Sequence, residues 1–492
     1  MKSLFNKYTL TVALTAVVGS VMAQDLNSAY FIDGYSYRHD MNPAYDNEYN
    51  YFAIPVLGNL GMQLRGSLGV GDLFFSNPDY GKKPGAKKTA SFLHPSISAD
   101  EALSGLDKGG NSMLLNVDIP IFSMGFGGFK GYNTIELRER SFVGASIPYD
   151  FFEFAKEMKN KDYTFDDLGM RAWSYMELGF GHSRKIYDNL RVGAKVKLLF
   201  GIGYADMSMS NVHASLEGDH WVIDGKARAE VNMKGAKFKE KEEEYKSTPG
   251  KYYKRVDGLD VDGSGLNGFG LGLDLGAVYE FKDCSLSWLN GLKASLALTD
   301  LGFINYGNKL VAESSGKTFE FDGFNNVAVK EESGATFEDK SDEVSDKLAD
   351  FANLENKPEE SGGSSSHGLG ATLRFGLEYP IPSYNKLKFG FLYTHRYSDL
   401  YGWSEGRLSA NYAPAKWLDG GINLGFSSFS TEMGWIINIH PKGLNFFIGM
   451  DYMMGKTDKS MIPLDSNVGF NVGLNITFNG KKDKRKLKTL SL

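Results

Sequence analysis

Cysteine is almost missing: Cys284 stands alone among 492 residues. No disulfide can form within the chain, and Cys284 reads as a small, partly buried residue in a turn. Long apolar runs are missing as well. Beyond the N-terminus no stretch of about 18 apolar residues occurs, which excludes a bundle of membrane-crossing helices. There is no strong excess of either charge: 54 Lys and Arg face 60 Asp and Glu, a net charge of −6. That balance argues against a nucleic-acid surface, so no nucleic-acid partner is expected. The eight histidines do not cluster at ligand spacing, and neither a metal nor a cofactor is expected.

Glycine and aromatic residues are plentiful instead. The chain has 58 Gly, 34 Phe and 26 Tyr, where average proteins hold about 7% Gly. Their placement is informative between Gly268 and Phe281. Phe269, Leu271, Leu273, Leu275, Ala277, Tyr279 and Phe281 share one parity; Gly268, Gly270, Gly272, Asp274, Gly276 and Glu280 share the other. Such alternation makes a strand with one apolar face. At about 3.3 Å per residue it spans roughly 45 Å, long for a globular strand. An apolar, aromatic-ended face opposite a Gly, Asp and Glu face is the pattern of a transmembrane barrel strand, with lipid outside and a wet interior.

The same reading extends along the chain. Lys2 and Lys7, the apolar run Leu10–Val18 and the small-residue site Val21-Met22-Ala23 predict an export signal over 1–23, cleaved before Gln24. No Cys follows it, so lipoprotein processing is not expected. Residues 24–57 are aromatic but irregular and read as a plug. Strands are predicted near 59–74, 112–126 and 133–147, then as a hairpin about Tyr187-Asp188-Asn189, then near 268–281 and 291–305. Seven more follow near 367–380, 386–398, 403–413, 418–428, 431–440, 443–455 and 467–478. On these strands Leu68, Tyr204 and Leu369, with His182, His367 and His395, fall on the lipid-facing parity.

The expected fold is therefore all-β: a transmembrane, antiparallel, up-and-down barrel of about fourteen strands over 58–478, with an N-terminal plug segment. Long loops at 77–111, 206–264 and 306–366 face the cell surface and tight turns face the periplasm. A basic tail, 479–492, follows a last strand that ends on Phe478, the placement read by barrel-assembly machinery. The expected location is the outer membrane, as a monomer in contact with outer-membrane lipid.

Parity also selects the lumen-facing charges: Arg65, Asp118, Glu177, Lys195, Lys197, Asp274, Glu280, Arg374, Glu378, Arg407 and Asp451. Their mixed signs predict cross-strand ion pairs that stiffen the wall or grip the plug; a selectivity lining is the other reading. Pro120 interrupts a strand where it removes a ladder hydrogen bond. Next to the polar-faced strand at 133–147 it marks either a lateral gap or an ordinary bulge.

Two motifs fail on inspection. Gly268-x-Gly270-x-Gly272 has period 2 and no helix after it, so it is not a nucleotide loop. Asp260-x-Asp262-Gly263 has Gly258 and Phe269 where a calcium loop needs its first and last ligands. No Ser–His pair stands out at one level of the wall, and no enzyme is expected.

Tyr30-Phe31-Ile32-Asp33-Gly34-Tyr35, Asn42-Pro43-Ala44, Phe92-Leu93-His94-Pro95 and Asp300-Leu301-Gly302-Phe303-Ile304 resemble an uncharacterised, domain-of-unknown-function family of Bacteroidetes outer-membrane barrels. More distantly, Asn42-Pro43-Ala44 ahead of fourteen strands is similar to the long-chain fatty-acid transporter family. That resemblance implies a hatch inside the barrel and passage of hydrophobic cargo. The expected function is a channel or transporter for small hydrophobic molecules. The alternative is a non-transporting surface scaffold or a component of a secretion or envelope assembly.

Overall fold

The computed structural model describes residues 26–323, 337–399, 401–452 and 467–479. The expected export signal, and all of the basic tail except Asn479, lie outside these residues. Fourteen antiparallel strands close into a ring. β1 is a broken strand, Asn50–Ala53 continued by Leu60–Gly66. β2 (Asn111–Gly128), β3 (Gly131–Ile147), β4 (Leu168–Tyr187) and β5 (Leu190–Glu217) follow. Next come β6 (Gly268–Glu280), β7 (Lys293–Gly307), β8 (Thr372–Ile381) and β9 (Tyr384–Arg396). β10 (Trp403–Ala415), β11 (Leu418–Ser427), β12 (Thr431–Ile439), β13 (Leu444–Asp451) and β14 (Val468–Phe478) complete the wall. Each strand pairs with its neighbour in the chain. β14 returns to β1, with Asn50 opposite Phe478 and Leu60 opposite Val472.

The alternation seen in the sequence sets which face is which. On β6, Leu271 is 47% and Leu275 43% exposed, while Gly270, Gly272 and Asp274 are buried. The outer surface is a belt of such exposed apolar side chains, among them Val196, Leu296, Phe389, Leu408 and Ile422. Among the described residues no helix is long and apolar enough to cross a membrane.

Asn50 and Phe478 define a terminal rim, where most turns are tight; the long connections gather at the opposite, loop rim. There β5 runs on well past its neighbours. Its last thirteen residues, Ala205–Glu217, extend roughly 40 Å and pair with the added strand His220–Met233.

Four placements differ from the sequence reading, each for a backbone reason. The plug ends earlier than 57, because Asn50–Ala53 already pairs with β14. Leu68 lies beyond the end of β1 and is buried with Leu106 and Phe152 under the loops. Tyr204 turns inward because Ile202 bulges out of the β4–β5 ladder, so Ser174 pairs with Gly203 and Tyr175 with Gly201. Leu369 and His367 also face inward, since Gly370, at φ +79°, breaks the strand before β8 begins.

Candidate functional site

The lumen is built in three levels. At the terminal rim, Leu26–Tyr49 fills it. Leu26, Tyr30, Ile32, Tyr35, Tyr37 and Met41 form a buried cluster with wall residues Leu392, Ile436 and Phe447. Inward-facing glycines seat this segment. A Cβ on Gly193 would lie 2.0 Å from the Pro43 carbonyl oxygen, and one on Gly276 would lie 2.1 Å from Asn42 Oδ1. Asn42 in turn donates to the carbonyls of Ala277 and Leu296, each at 3.4 Å. The Asn42-Pro43-Ala44 motif thus lies directly on bare backbone, and only glycine permits that approach.

Above the plug is a charged level in two clusters. In the first, Arg138 bridges plug residue Asp40 at 2.8 Å, Asp118 at 3.0 Å and Glu136 at 3.1 Å. Lys195 holds Asp40 at 2.9 Å and also pairs with Glu136. Lys197 holds Asp274 at 2.8 Å and Asp300 at 2.7 Å, and Arg140 reaches Asp300 at 2.7 Å and Glu177 at 3.4 Å. In the second, Arg65 binds Glu405 at 2.8 Å while stacked on Trp403 and Tyr452, 3.8 and 4.3 Å from the ring centres. Arg407 binds Glu405 at 2.7 Å, and Asp451 accepts the backbone N–H groups of Asn27 and Ser28 at 2.6 and 2.9 Å. Nearer the terminal rim, Glu378 joins Lys388 and Lys293, and Lys388 also pairs with plug residue Asp33.

Ten of the eleven residues selected by parity are buried inside the wall. Arg374 is among them and donates to Thr299 at 3.0 Å. Glu280 sits lower, on the wall of a 670 Å³ polar cup at the terminal rim, paired with Lys282. Sequence reasoning passed over Glu136, Arg138, Arg140, Glu405 and Glu432, although all share the inward parity of their strands. It had no means of finding Asp300, which a bulge turns inward at φ +59°, or Asp40 in the plug.

Burial alone would raise the Asp40 carboxyl. The guanidinium of Arg138 and the ammonium of Lys195 outweigh it and hold Asp40 well below the usual carboxylate range. A carboxylate lowered on folding stabilises the seated plug above its ordinary pKa of about 3.9 and loses that contribution as pH falls through the lowered value. Plug amides are therefore expected to keep their hydrogen-exchange protection from neutral pH down to about pH 4. Release of the plug at pH 5 or 6 would contradict this.

His39, Asp40 and Glu136 place ligand atoms within 4.8 Å of one another, a spacing that suits a cation. Lys195 and Arg138 already sit on both carboxylates, so the arrangement is an ion-pair cluster rather than a metal centre.

The third level, toward the loop rim, is apolar and aromatic although it lies inside the ring. Leu114, Phe142, Tyr401 and Trp403 form one group, and Tyr175, Leu199, Tyr204, Ile304, Tyr306 and Leu369 another. Trp173 joins them, stacked on Phe142 at 5.3 Å and on Tyr175 at 5.2 Å. His367 stacks on Tyr204 at 3.6 Å. Ser365 Oγ lies 2.9 Å from His367 Nε2, a pair absent from the sequence reading. However, Glu230 meets that same hydroxyl and ring nitrogen, at 2.6 and 3.3 Å, whereas a triad needs its carboxylate on the far nitrogen.

Between 112–126 and 133–147, where the sequence left a lateral gap or a bulge open, the wall is paired. That ladder continues through Pro120 opposite Arg138, with Ile121 alone bulged out. The break is on the other side, in β1. Ile54–Leu57 leaves the sheet with Val56 at φ +67°, and among the described residues its backbone is held by Val56 N–H to the Pro120 carbonyl at 3.1 Å and Leu474 N–H to the Leu57 carbonyl at 2.9 Å.

Among solved structures, the toluene transporter TbuX of Ralstonia pickettii is similar at 9% identity, over 94% of this chain and 96% of its own, with a TM-score of 0.40. The toluene transporter TodX of Pseudomonas putida is similar at 9%, over 94% and 96%, with a TM-score of 0.39. A Pseudomonas aeruginosa FadL homologue is similar at 10%, over 93% and 99%, with a TM-score of 0.37. No curated protein matches the chain. A family model matches residues 43–451, most of the sequence, and the chain belongs to that family of unknown function, DUF5723.

Proposed function

We propose that this chain is an outer-membrane barrel through which small hydrophobic molecules pass. The observation that carries the reading is the aromatic level inside the ring. A water-filled lumen calls for polar inner faces, yet Phe142, Trp173, Tyr175, Tyr204, Tyr306 and Trp403 face inward beneath the loops. Such a surface is favourable to an apolar solute and unfavourable to water. The exposed apolar belt supports placement in a bilayer. The interruption of β1 beside Pro120 is the place in the wall where a hydrophobic solute could leave sideways.

Replacing Trp173 and Trp403 together by Ala removes ring contacts worth about 1 kcal/mol each. Uptake of a small hydrophobic probe by cells or proteoliposomes carrying the variant is expected to fall about thirtyfold. Mass spectrometry of lipid extracts from the purified barrel is expected to show apolar molecules that the variant lacks. A barrel that takes up no probe and co-purifies with nothing apolar would favour the second reading, a non-transporting scaffold. The observation behind that alternative is the plug, fixed by buried ion pairs on several strands.

A further inference from the structure

The connection from β1 to β2 carries a lobe at the loop rim. Within it, Phe74–Ser76 pairs with Thr89–Ser91 as a short hairpin. Asn77 closes the loop beyond it, through its N–H to the Lys88 carbonyl at 2.9 Å and its side-chain amide to the Lys87 carbonyl at 2.8 Å. The far side of the hairpin is cored: Phe75, Ala90, Phe92, Ile97 and Ala102 pack together. The tip is therefore a fixed structure rather than a loose tether.

That tip presents Lys82, Lys83, Lys87 and Lys88, all exposed. Asp79 pairs with Lys83 at 2.8 Å and is shared with Ser96. Lys88 lies 6.0 Å from the Tyr80 ring centre, and Lys82 and Lys87 have no carboxylate partner among the described residues. The other acids of the connection lie away from the tip: Asp72 accepts from the Gly69 N–H, Asp100 and Glu101 occupy the first turn of the helix Ala99–Leu103, and Asp107 accepts from the Gly109 N–H. Beside the lysines, Phe74, Tyr80 and Leu93 are 55, 50 and 50% exposed. A merely solvated loop gains nothing by exposing three large apolar groups. Four lysines with a single carboxylate at the tip, set among exposed rings, are the composition of a membrane–water interface, where rings enter the headgroup layer and ammonium groups meet phosphates.

We infer that the Lys82–Lys88 tip, with Phe74, Tyr80 and Leu93, docks on the anionic, phosphate-bearing headgroups of the leaflet that surrounds the barrel. The inference rests on the membrane placement proposed above but not on what the barrel passes. It holds the lobe down at the rim, on the side of the ring where β1 is broken.

The test uses the full barrel in lipid nanodiscs made with either purely zwitterionic lipid or an admixture of phosphorylated anionic lipid. Trypsin cleavage after Lys82, Lys87 and Lys88 is followed by mass spectrometry, the Lys83–Pro84 bond being resistant to trypsin. Each lysine engaged at an anionic surface contributes about fivefold, so cleavage is expected to slow at least about tenfold in the anionic discs and to recover at high salt. A fluorophore on Pro84→Cys, in a Cys284→Ser background, is expected to shift to the blue in the anionic discs only. That shift is expected to vanish in a variant with all four lysines changed to Gln, whose substitutions are exposed and leave the hairpin core intact. Equal cleavage in both discs overturns the inference, as does a blue shift that survives the four Gln changes. Protection reproduced in zwitterionic discs by inorganic phosphate alone also overturns it, because the tip is then a general anion site. A barrel that enters neither disc overturns both this inference and the membrane placement.

Discussion

Arg138→Ala is expected to destabilise the barrel by about 3–5 kcal/mol, the cost of leaving buried carboxylates without their cation. The guanidinium touches Asp40, Asp118 and Glu136, and all four residues are nearly inaccessible to solvent. Lys195 can still reach Asp40 and Glu136, but among the described residues Asp118 retains only the Arg140 ion pair, at 3.7 Å. Desolvation makes such a site asymmetric: the intact pair adds little net stability, whereas half of it is costly. Arg138→Met with Asp118→Asn, which removes charge from both partners, is expected to recover a good part of the loss. Urea titration of the folded barrel in detergent measures both. A loss below about 1 kcal/mol for Arg138→Ala would mean the cluster is hydrated and the plug is not gripped there.

Gly276→Leu is expected to unseat the plug without dismantling the ring. Even the first carbon of the new side chain would fall 2.1 Å from Asn42 Oδ1, 2.9 Å from Pro43 Cδ and 3.0 Å from the Ala44 nitrogen. The wall at that point is a continuous ladder, with Gly276 opposite Gly193 and Ala297, so the plug must yield rather than the strand. Overpacking of this kind costs about 1–3 kcal/mol, and displacement also removes the Asn42 hydrogen bonds to the Ala277 carbonyl on β6 and the Leu296 carbonyl on β7. Hydrogen exchange of residues 38–46 is expected to accelerate by at least about tenfold while the strands stay protected. Planar-bilayer recordings are expected to show ion current that the parent lacks. Unchanged exchange in this segment would show that the motif does not depend on the bare backbone beneath it. Gly193→Val, aimed at the Pro43 carbonyl from the adjacent strand, is the matching variant.

These two sites also show what was legible beforehand. The ring was readable because lipid-facing parity repeats over many residues, and no other environment favours Leu271, Phe269 and Leu275 exposed beside buried Gly and Asp. Lys195, Lys197 and Asp274 followed from the same rule, as Glu136, Arg138 and Arg140 do once parity is applied to β3. Parity fails wherever one residue is added to a strand. The bulges at Ile202 and Asp300, and the break at Gly370, each reverse the faces beyond them. For that reason Tyr204 and Leu369, two members of the aromatic level, read as lipid-facing. A bulge depends on local backbone conformation and on what packs against it, and neither shows in a period-2 pattern. The glycine excess was visible, but its partner was not: a bare wall position implies close approach, without telling which segment approaches.

The interruption of β1 bears on how the cylinder is joined. Its closing seam is held by two short zips, four residue pairs from Asn50 to Ala53 and five from Leu60 to Leu64, where the β6–β5 seam has twelve in unbroken succession. The seam between β1 and β2 is divided at the same place, with two pairs at Tyr51 and Phe52 and five from Met62 to Gly66. Cooperative ladders lose strength when divided, so heat or mechanical pull should free β1 along both of its edges. The ring thus opens at its first strand rather than at one seam.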